Sequence, residues 1–163
     1  MLKILFLLEM ILFIVMLFIA EAAAYGWHRW GAHSDINWIG AKNVHNWHHN
    51  IVNDPAHYDF AYIVFFLSLF GILLIMLTIK NYISQMTALS LYLPFVIVAL
   101  WNWYVHAAYH TPGHWLENYE WFLRDRELHW KHHRNPNVNY GIASHFGDVI
   151  GDTFSYSWMR EIN

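Results

Sequence analysis

The chain has 163 residues, of which 57% are hydrophobic, 19% are aromatic and only 13% are charged, with a formal net charge of −3. Ordinary soluble domains carry about 25% charged residues, so this composition argues against a soluble globule and against a disordered chain. The slight acidic excess argues against a nucleic-acid partner, and the lack of cysteine excludes disulfides, thiolate zinc sites and iron–sulfur clusters.

Three apolar stretches are long enough to cross a bilayer, which takes about 20 residues at a rise of about 1.5 Å each. We expect membrane spans at about residues 2–24, 60–79 and 88–108. Only a short polar segment separates the second and third stretches, which indicates a helical hairpin, and Pro94 is expected to kink the third. The first stretch has an alternative interpretation as a cleaved signal peptide, because it ends in an A-x-A sequence suited to cleavage at residues 20–24.

Polar segments rich in His, Trp and Asn occupy residues 25–59 and 109–163. Because the segments share one composition and no linker divides them, we expect a single domain over residues 1–163. All basic residues except Lys3 and Lys80 lie in these segments, so the positive-inside tendency predicts a cytoplasmic cap. The predicted fold is therefore an all-α integral membrane helical bundle with about three spans and a cytosolic helical cap. Within the cap, residues 115–123 are predicted to form an interfacial amphipathic helix.

Histidine occurs 13 times, more often than lysine and arginine together, and most copies fall into four spaced groups. The groups are His28 and His33; His45, His48 and His49; His106 and His110; and His129, His132 and His133. Residues at i, i+3 and i+4 share one helical face within about 100° of arc, so each triple is expected to present three imidazoles in one direction. His28 and His33 are about 140° apart on a helix. They are expected either to bind different metals or to include one residue just past a helix end.

This repeated spacing indicates a metal site, because imidazole is the commonest metal ligand in proteins. A tetrahedral zinc site takes about four ligands, so ten imidazoles indicate two ions, and zinc, copper, iron and nickel all remain open. Asp35, Asp148 and Asp152 are candidates to orient the imidazoles from behind. The sequence contains no nucleophile elbow, P-loop or dinucleotide-binding motif.

The order of the four groups, H-x4-H, H-x2-H-H, H-x3-H and H-x2-H-H, resembles the fatty acid hydroxylase/sterol desaturase superfamily of integral membrane di-iron enzymes. The last group is followed by Asn139-Tyr140-Gly141, which is similar to the N-Y-G segment of that superfamily. Asp148 and Thr153 stand where its W-D-x-x-F-G-T sequence would lie, although the Trp and the F-G pair are missing here. The resemblance covers roughly residues 27–153.

The resemblance implies a membrane stem and a cytosolic cap that holds two irons, with the ten grouped histidines as metal ligands and no further catalytic residue. Zinc would be able to replace the irons in purified protein. The implied reaction uses O2 and two external electrons to hydroxylate an unactivated C–H bond of a fatty acyl, sphingolipid, sterol or carotenoid substrate, with an acyl chain favoured. No cytochrome b5-like haem motif is present, so the electron donor is expected to be a separate ferredoxin, or a cytochrome b5 with its reductase. His57, His114 and His145 lie outside the four groups and are expected at the surface or behind the ligands.

Other functions stay open on the sequence alone. A lipid desaturase of the same superfamily would abstract the same first hydrogen, so the sequence does not separate it from a hydroxylase. A membrane zinc or copper binding or transport protein would need ligands along a path near the bilayer midplane. Residues 60–79 and 88–105 contain no Asp, Glu, Lys, Arg or His, which favours a cap over a conduit. A catalytically inactive membrane scaffold that keeps the histidine groups is the remaining alternative.

Overall fold

The computed structural model of the chain describes residues 2–51 and 57–156. Its α-helices are Leu2–Gly26 (α1), Ala41–Asn50 (α2), His57–Ile79 (α3), Gln85–Tyr109 (α4), Glu120–Arg134 (α5) and Phe146–Ile150 (α6). No strand occurs within the described ranges, and the all-α class is confirmed. Arg160, one of the basic residues assigned to the cap, and the side chain of His57 lie outside the described part of the chain.

Three helical segments are long and apolar enough to cross a membrane, namely Lys3–Ala32, Phe60–Ile79 and Gln85–Tyr109. The expected number of spans is therefore confirmed, and the chain has the character of an integral membrane protein. Their outward side chains are large and hydrophobic, as a surface in contact with lipid requires. α4 continues through Pro94 without ending, as membrane helices tolerate.

α4 lies between the other two spanning helices, with α1 on one side and α3 on the other. At one end of the α1–α4 interface, Thr87 Oγ1 donates a hydrogen bond to Glu9 Oε1 at 2.6 Å. Nearer the other end, Asn102 Nδ2 lies 3.5 Å from Glu21 Oε1. Both glutamates of α1 therefore have a polar neighbour on α4.

The predicted interfacial helix over residues 115–123 is interrupted. A 3-10 turn covers Trp115–Asn118, and extended backbone at Tyr119 separates it from α5. Glu117 holds the turn in place, because its carboxylate accepts hydrogen bonds from Gly113 N at 3.1 Å and from Arg126 Nη1 at 2.5 Å. The aromatic side chains of this segment nevertheless remain exposed, at 56% for Trp115 and 46% for Tyr119.

The segment that follows α5 folds back against α1. Asn139 adopts a left-handed backbone with φ of 54°, a conformation that asparagine tolerates better than most residues. Its buried side chain accepts a hydrogen bond from Ser155 N at 2.8 Å and donates to Ser155 O at 3.2 Å. α6 then packs on α1, where the rings of Phe146 and Phe18 are 5.6 Å apart. This return path places Tyr140 beside the end of the first span.

Candidate metal centre

A π-helical turn at the end of α1 positions the first two histidines. The turn covers Trp27–Ala32, and His33 N donates to His28 O at 3.2 Å, the i+5 bond of a π-helix. Residues five apart then lie close together, and the two imidazole centroids are 5.1 Å apart. Gly31 is required within the turn, since a Cβ there would lie 2.5 Å from the Trp27 ring. Of the two predicted alternatives, the structure has His33 just past a helix end and beside His28.

The ten predicted histidines converge in two clusters. The first cluster consists of His28, His33, His45, His49 and His132. The second cluster consists of His48, His106, His110, His129 and His133. Within each cluster the candidate ligand nitrogens all lie within 4.8 Å of one another. The clusters adjoin, because the rings of His49 and His133 stack at a centroid distance of 4.2 Å.

Each histidine triple faces the adjoining clusters as predicted, but its three imidazoles divide between the two clusters. On α2, His45 and His49 belong to the first cluster and His48 to the second. On α5 the assignment is exchanged: His132 belongs to the first cluster, and His129 and His133 belong to the second. On a helix, residue i+4 lies about 40° from residue i on one side, and residue i+3 lies about 60° away on the other. Each triple therefore contributes imidazoles to both clusters from a single helix.

The nitrogens of the first cluster are too close to be explained by hydrogen bonds alone. His45 Nε2 lies 3.0 Å from His28 Nε2, 2.9 Å from His33 Nε2 and 3.0 Å from His49 Nε2. A neutral imidazole carries hydrogen on one nitrogen only, so hydrogen bonds do not account for all three contacts. Two nitrogens bound to one ion at about 2.0–2.1 Å, near a right angle, lie about 3 Å apart. The donor set fits a shared cation.

Backbone carbonyls fix the orientation of two rings in the first cluster. His28 Nδ1 donates to Tyr140 O at 2.5 Å, and His132 Nδ1 donates to Val138 O at 2.8 Å. A carbonyl only accepts hydrogen bonds, so Nδ1 carries the hydrogen and Nε2 turns its lone pair toward the cluster. This arrangement, in which a ligating histidine donates its other nitrogen to a carbonyl, is typical of metal sites.

The second cluster has the same chemistry. Nε2 of His106 lies 3.0 Å from Nε2 of His48, and Nε2 of His110 lies 2.9 Å from Nε2 of His129. His133 Nε2 is buried without a hydrogen-bond partner among the described residues. Leaving a buried nitrogen without a partner is costly, and a bound cation would remove that cost.

The environment keeps these imidazoles neutral. Burial, with added repulsion from His28 and His49, lowers the pKa of His33 to about 2. Burial first, and neighbouring imidazoles second, also lower the pKa values of His45, His48, His129, His132 and His133. Neutral imidazole is the form that binds a metal, so the apolar surroundings prepare the rings as ligands.

Asp148 supports the first cluster through the backbone. Its carboxylate is fully buried, and Oδ1 accepts hydrogen bonds from Tyr140 N and Thr153 Oγ1, both at 2.7 Å. Oδ2 accepts hydrogen bonds from Gly141 N at 2.7 Å and from His145 Nδ1 at 3.2 Å. Burial alone would raise the pKa of this carboxyl, but the hydrogen bonds outweigh burial and hold the pKa below its usual value. Because Tyr140 O orients His28, Asp148 positions that ring through the peptide it binds.

The other candidate residues lie away from both clusters. Asp35 is exposed and lies 3.7 Å from Lys42 Nζ, and Asp152 is exposed with φ of 53°. His114 Nδ1 accepts a hydrogen bond from Leu116 N in the 3-10 turn. Of the three candidate aspartates, only Asp148 therefore has a place behind the ligands.

A cavity of about 200 Å³ lies among the spanning helices and reaches both clusters. Its wall is mostly apolar, and it touches His28 and His45 of the first cluster and His106 of the second. Glu21 and Asn102 are polar exceptions that were not among the predicted site residues. The sequence carried a signal for Glu21, since an ionisable residue within a span commonly marks a functional site. A mostly apolar cavity that ends at the histidines suits a hydrocarbon chain.

The fatty acid hydroxylase family model matches residues 13–153 of the chain. The matched range contains every histidine of both clusters, the Asn139-Tyr140-Gly141 segment and Asp148. Comparison with curated proteins and with solved structures finds no match.

Proposed function

The chain belongs to the fatty acid hydroxylase family, and on that premise we propose that it is an O2-dependent di-iron membrane oxygenase that hydroxylates an unactivated C–H bond of a lipid. The observation that carries this proposal is the convergence of ten imidazoles, in two clusters, at an apolar cavity between the spans. The family and the clusters support a metal-dependent lipid oxygenase. Iron, the use of O2 and hydroxylation are the further content of the proposal.

Each histidine cluster would hold one iron ion through its imidazole nitrogens. Five candidate nitrogens per cluster exceed the four ligands of a closed tetrahedral zinc site, which favours iron. Bound iron would supply the redox chemistry with O2 that protein side chains lack. In the overall reaction, one oxygen atom enters the C–H bond and the other leaves as water. That balance takes two electrons from a donor protein and two protons from solvent.

The chain's own residues prepare the site and place the substrate. The carbonyls of Tyr140 and Val138 hold two imidazoles with their lone pairs toward the first cluster. The ring of Tyr140 covers the same cluster, 5.3 Å from His132 and 5.5 Å from His33, and helps to exclude water. The apolar wall would bind a lipid chain by burial of its methylene groups. Such a chain would present one methylene to the histidines at the end of the cavity.

We further propose that the cap faces the cytoplasm and receives electrons from a separate ferredoxin, or from a cytochrome b5 with its reductase. The basic residues on the side of the histidine clusters, against Lys3 and Lys80 beyond the other ends of the spans, support this orientation. Lipid would reach the cavity from the bilayer while the donor binds the aqueous face.

Expression with iron in a host that contains diverse lipids, followed by lipid mass spectrometry under labelled O2, tests the proposal. The wild type is expected to form a lipid heavier by one labelled oxygen atom. His132→Ala is expected to abolish the product while the protein still inserts in the membrane, and His114→Ala is the matched control that keeps it. A product lighter by two hydrogens would identify a desaturase instead. Iron-loaded protein that never consumes O2 with a competent reductant would refute the oxygenase assignment.

A further inference from the structure

Glu21 is an acidic side chain within the first membrane-spanning segment, and it lines the cavity. Its only hydrogen-bond partner among the described residues is Asn102, whose Nδ2 lies 3.5 Å from Oε1. That separation is at the outer limit of a hydrogen bond. A carboxyl group with so little pairing inside a membrane span is costly, which points to a further partner within the cavity.

Asn102 offers Glu21 a single N–H, because the other N–H and the oxygen of its amide are used by the fold. Its Nδ2 donates to Val98 O at 2.9 Å, and its Oδ1 accepts from Ala143 N at 3.1 Å. These bonds hold the amide in place at the cavity wall. The remaining hydrogen-bonding capacity of the Glu21 carboxyl is therefore left for a molecule that occupies the cavity.

The second glutamate of the same span shows the contrast. Glu9 receives a short hydrogen bond from Thr87 Oγ1 at 2.6 Å, its Oε2 is buried without a hydrogen-bond partner among the described residues, and it does not line the cavity. Glu9 therefore joins α1 to α4. Glu21 lies on the same helix, but its side chain lines the cavity, where a bound molecule would contact it.

The other residues of the cavity wall determine how far a group bound to Glu21 would lie from the histidine clusters. Alanines at positions 20, 23, 24 and 99 leave the volume open between α1 and α4. Glu21 precedes His28 by seven residues on one helix, which corresponds to roughly 10 Å along the helix axis. A ligand that contacts both residues is therefore extended.

We propose that the substrate is a lipid alcohol, with its hydroxyl bound by Glu21 and a methylene roughly 10 Å farther along the chain presented to the histidine clusters. The inference rests on the proposed function of the site and adds the class of substrate. A hydroxyl both donates and accepts, so it pairs with the carboxyl in either protonation state. A plain hydrocarbon segment at this position would leave the carboxyl unmatched in an apolar cavity. Glu21 is thus a specificity-determining residue that contacts the substrate away from the reacting carbon.

Binding to the full-length protein in detergent, loaded with zinc so that no turnover occurs, tests the inference directly. The probes are hexadecanol, hexadecyl methyl ether and hexadecane, which share one chain and differ in the polar group. Binding is followed by tryptophan fluorescence, because Trp27 and Trp103 line the cavity. Hexadecanol is expected to bind about tenfold more tightly than hexadecane, as one additional hydrogen bond predicts. Equal affinity of the wild type for the alcohol and the alkane would overturn the inference.

Variants assign the preference to one side chain. Glu21→Leu is expected to remove the preference for the alcohol, and Glu9→Leu is the matched control that retains it. If Glu21→Leu does not accumulate, Glu21→Gln replaces it and is expected to keep part of the preference, while Ala24→Phe, which fills the cavity nearby, is expected to weaken binding of every probe. A preference that survives in Glu21→Leu, or alcohol binding unaffected by Ala24→Phe, would overturn the assignment.

The two proposals fail separately. Efficient hydroxylation of a lipid without a hydroxyl group would overturn the assignment of a lipid alcohol and leave the oxygenase intact. Conversely, the preference for alcohol is measured without turnover, so it supports the Glu21 assignment even where no oxygenated product forms.

Discussion

Replacing Asp148 by asparagine tests whether the first cluster depends on the peptide that holds His28. The carboxylate accepts four hydrogen bonds, two of them from backbone amides on different oxygens. The hydroxyl of Thr153 and the ring of His145 can reorient to accept from a new NH2 group, but a backbone amide cannot. In either orientation of asparagine, one amide of the Tyr140 segment therefore faces a donor.

The magnitude follows from that single mismatch. A hydrogen bond to a charged acceptor contributes about 1.5–3 kcal/mol, so Asp148→Asn is expected to lower the free energy of unfolding by about that amount. Loss of a residue that orients a ligand commonly weakens metal affinity by about 10–100-fold. Because Tyr140 O accepts a hydrogen bond from His28, a ring of the first cluster, we expect the loss of affinity in that cluster.

Metal titration with a competing chelator, together with thermal unfolding, measures both effects. The variant is expected to show one weakened binding step and one unchanged step. Asp35→Asn is the matched control, since Asp35 is exposed and forms an ion pair with Lys42 at 3.7 Å, away from both clusters. Unchanged affinity at both steps, or equal weakening of both, would refute the role of Asp148 in positioning His28.

Three further predictions address the clusters, the packing of α6 and the effect of pH. His132→Ala and His129→Ala, which act on different clusters, are each expected to remove about half of the bound metal by elemental analysis, and full metal content in either would contradict the grouping. Gly147→Ala would place a Cβ 2.3 Å from Tyr25 Cγ, so thermal unfolding should show a loss of about 1–3 kcal/mol; an unchanged melting temperature would count against this packing. The folded pKa of His33, about 2, lies below its ordinary value of 6.5, so the unfolded chain binds more protons in the range between them. The metal-free protein should therefore keep its full stability above the ordinary pKa and lose stability as the pH falls below it, and a melting temperature that rises on acidification would contradict this.

Two variants serve as controls for these measurements. A Cβ at Gly26 would lie 3.3 Å from Trp30 Cζ3, a contact that a small movement relieves, so Gly26→Ala should cost less than Gly147→Ala. His114→Ala should leave the metal content unchanged, because His114 belongs to neither cluster.

Much of the fold and of the candidate site could be predicted from local sequence. The spans are visible because a bilayer requires a long apolar run, whatever that run packs against. The ten histidines are recognisable by their spacing, since helical periodicity places i, i+3 and i+4 on related faces. The choice of α1, α4, α2 and α5 as carriers of the ligands follows from the same periodicity.

The assignment of ligands to clusters could not be predicted in this way. Whether His48 joins His45 or turns away from it depends on where the boundary between the clusters crosses α2, which is set by the packing of distant helices. The π-helical turn includes an i+5 hydrogen bond from His33 N to His28 O, which the periodicity of the sequence does not predict. The role proposed for Glu21 depends on the packing of α4, which brings Asn102 and the cavity to its side of α1.

Tyr25 of α1 occupies the space beside the C-terminal segment that departs from the superfamily pattern. A Cβ at Gly147 would lie 2.3 Å from Tyr25 Cγ, and a Cβ at Gly151 would lie 2.1 Å from Tyr25 Oη. Larger residues at these positions, where the pattern has Trp and Phe, would therefore displace the ring of Tyr25. The ring is held instead by Thr153, whose Oγ1 lies 3.1 Å from its hydroxyl, while Asp152 keeps a left-handed backbone with φ of 53° where the pattern has glycine. One aromatic side chain from the first span thus occupies space that two from the C-terminal segment would require, and the wall behind the first cluster stays packed although the motif is incomplete.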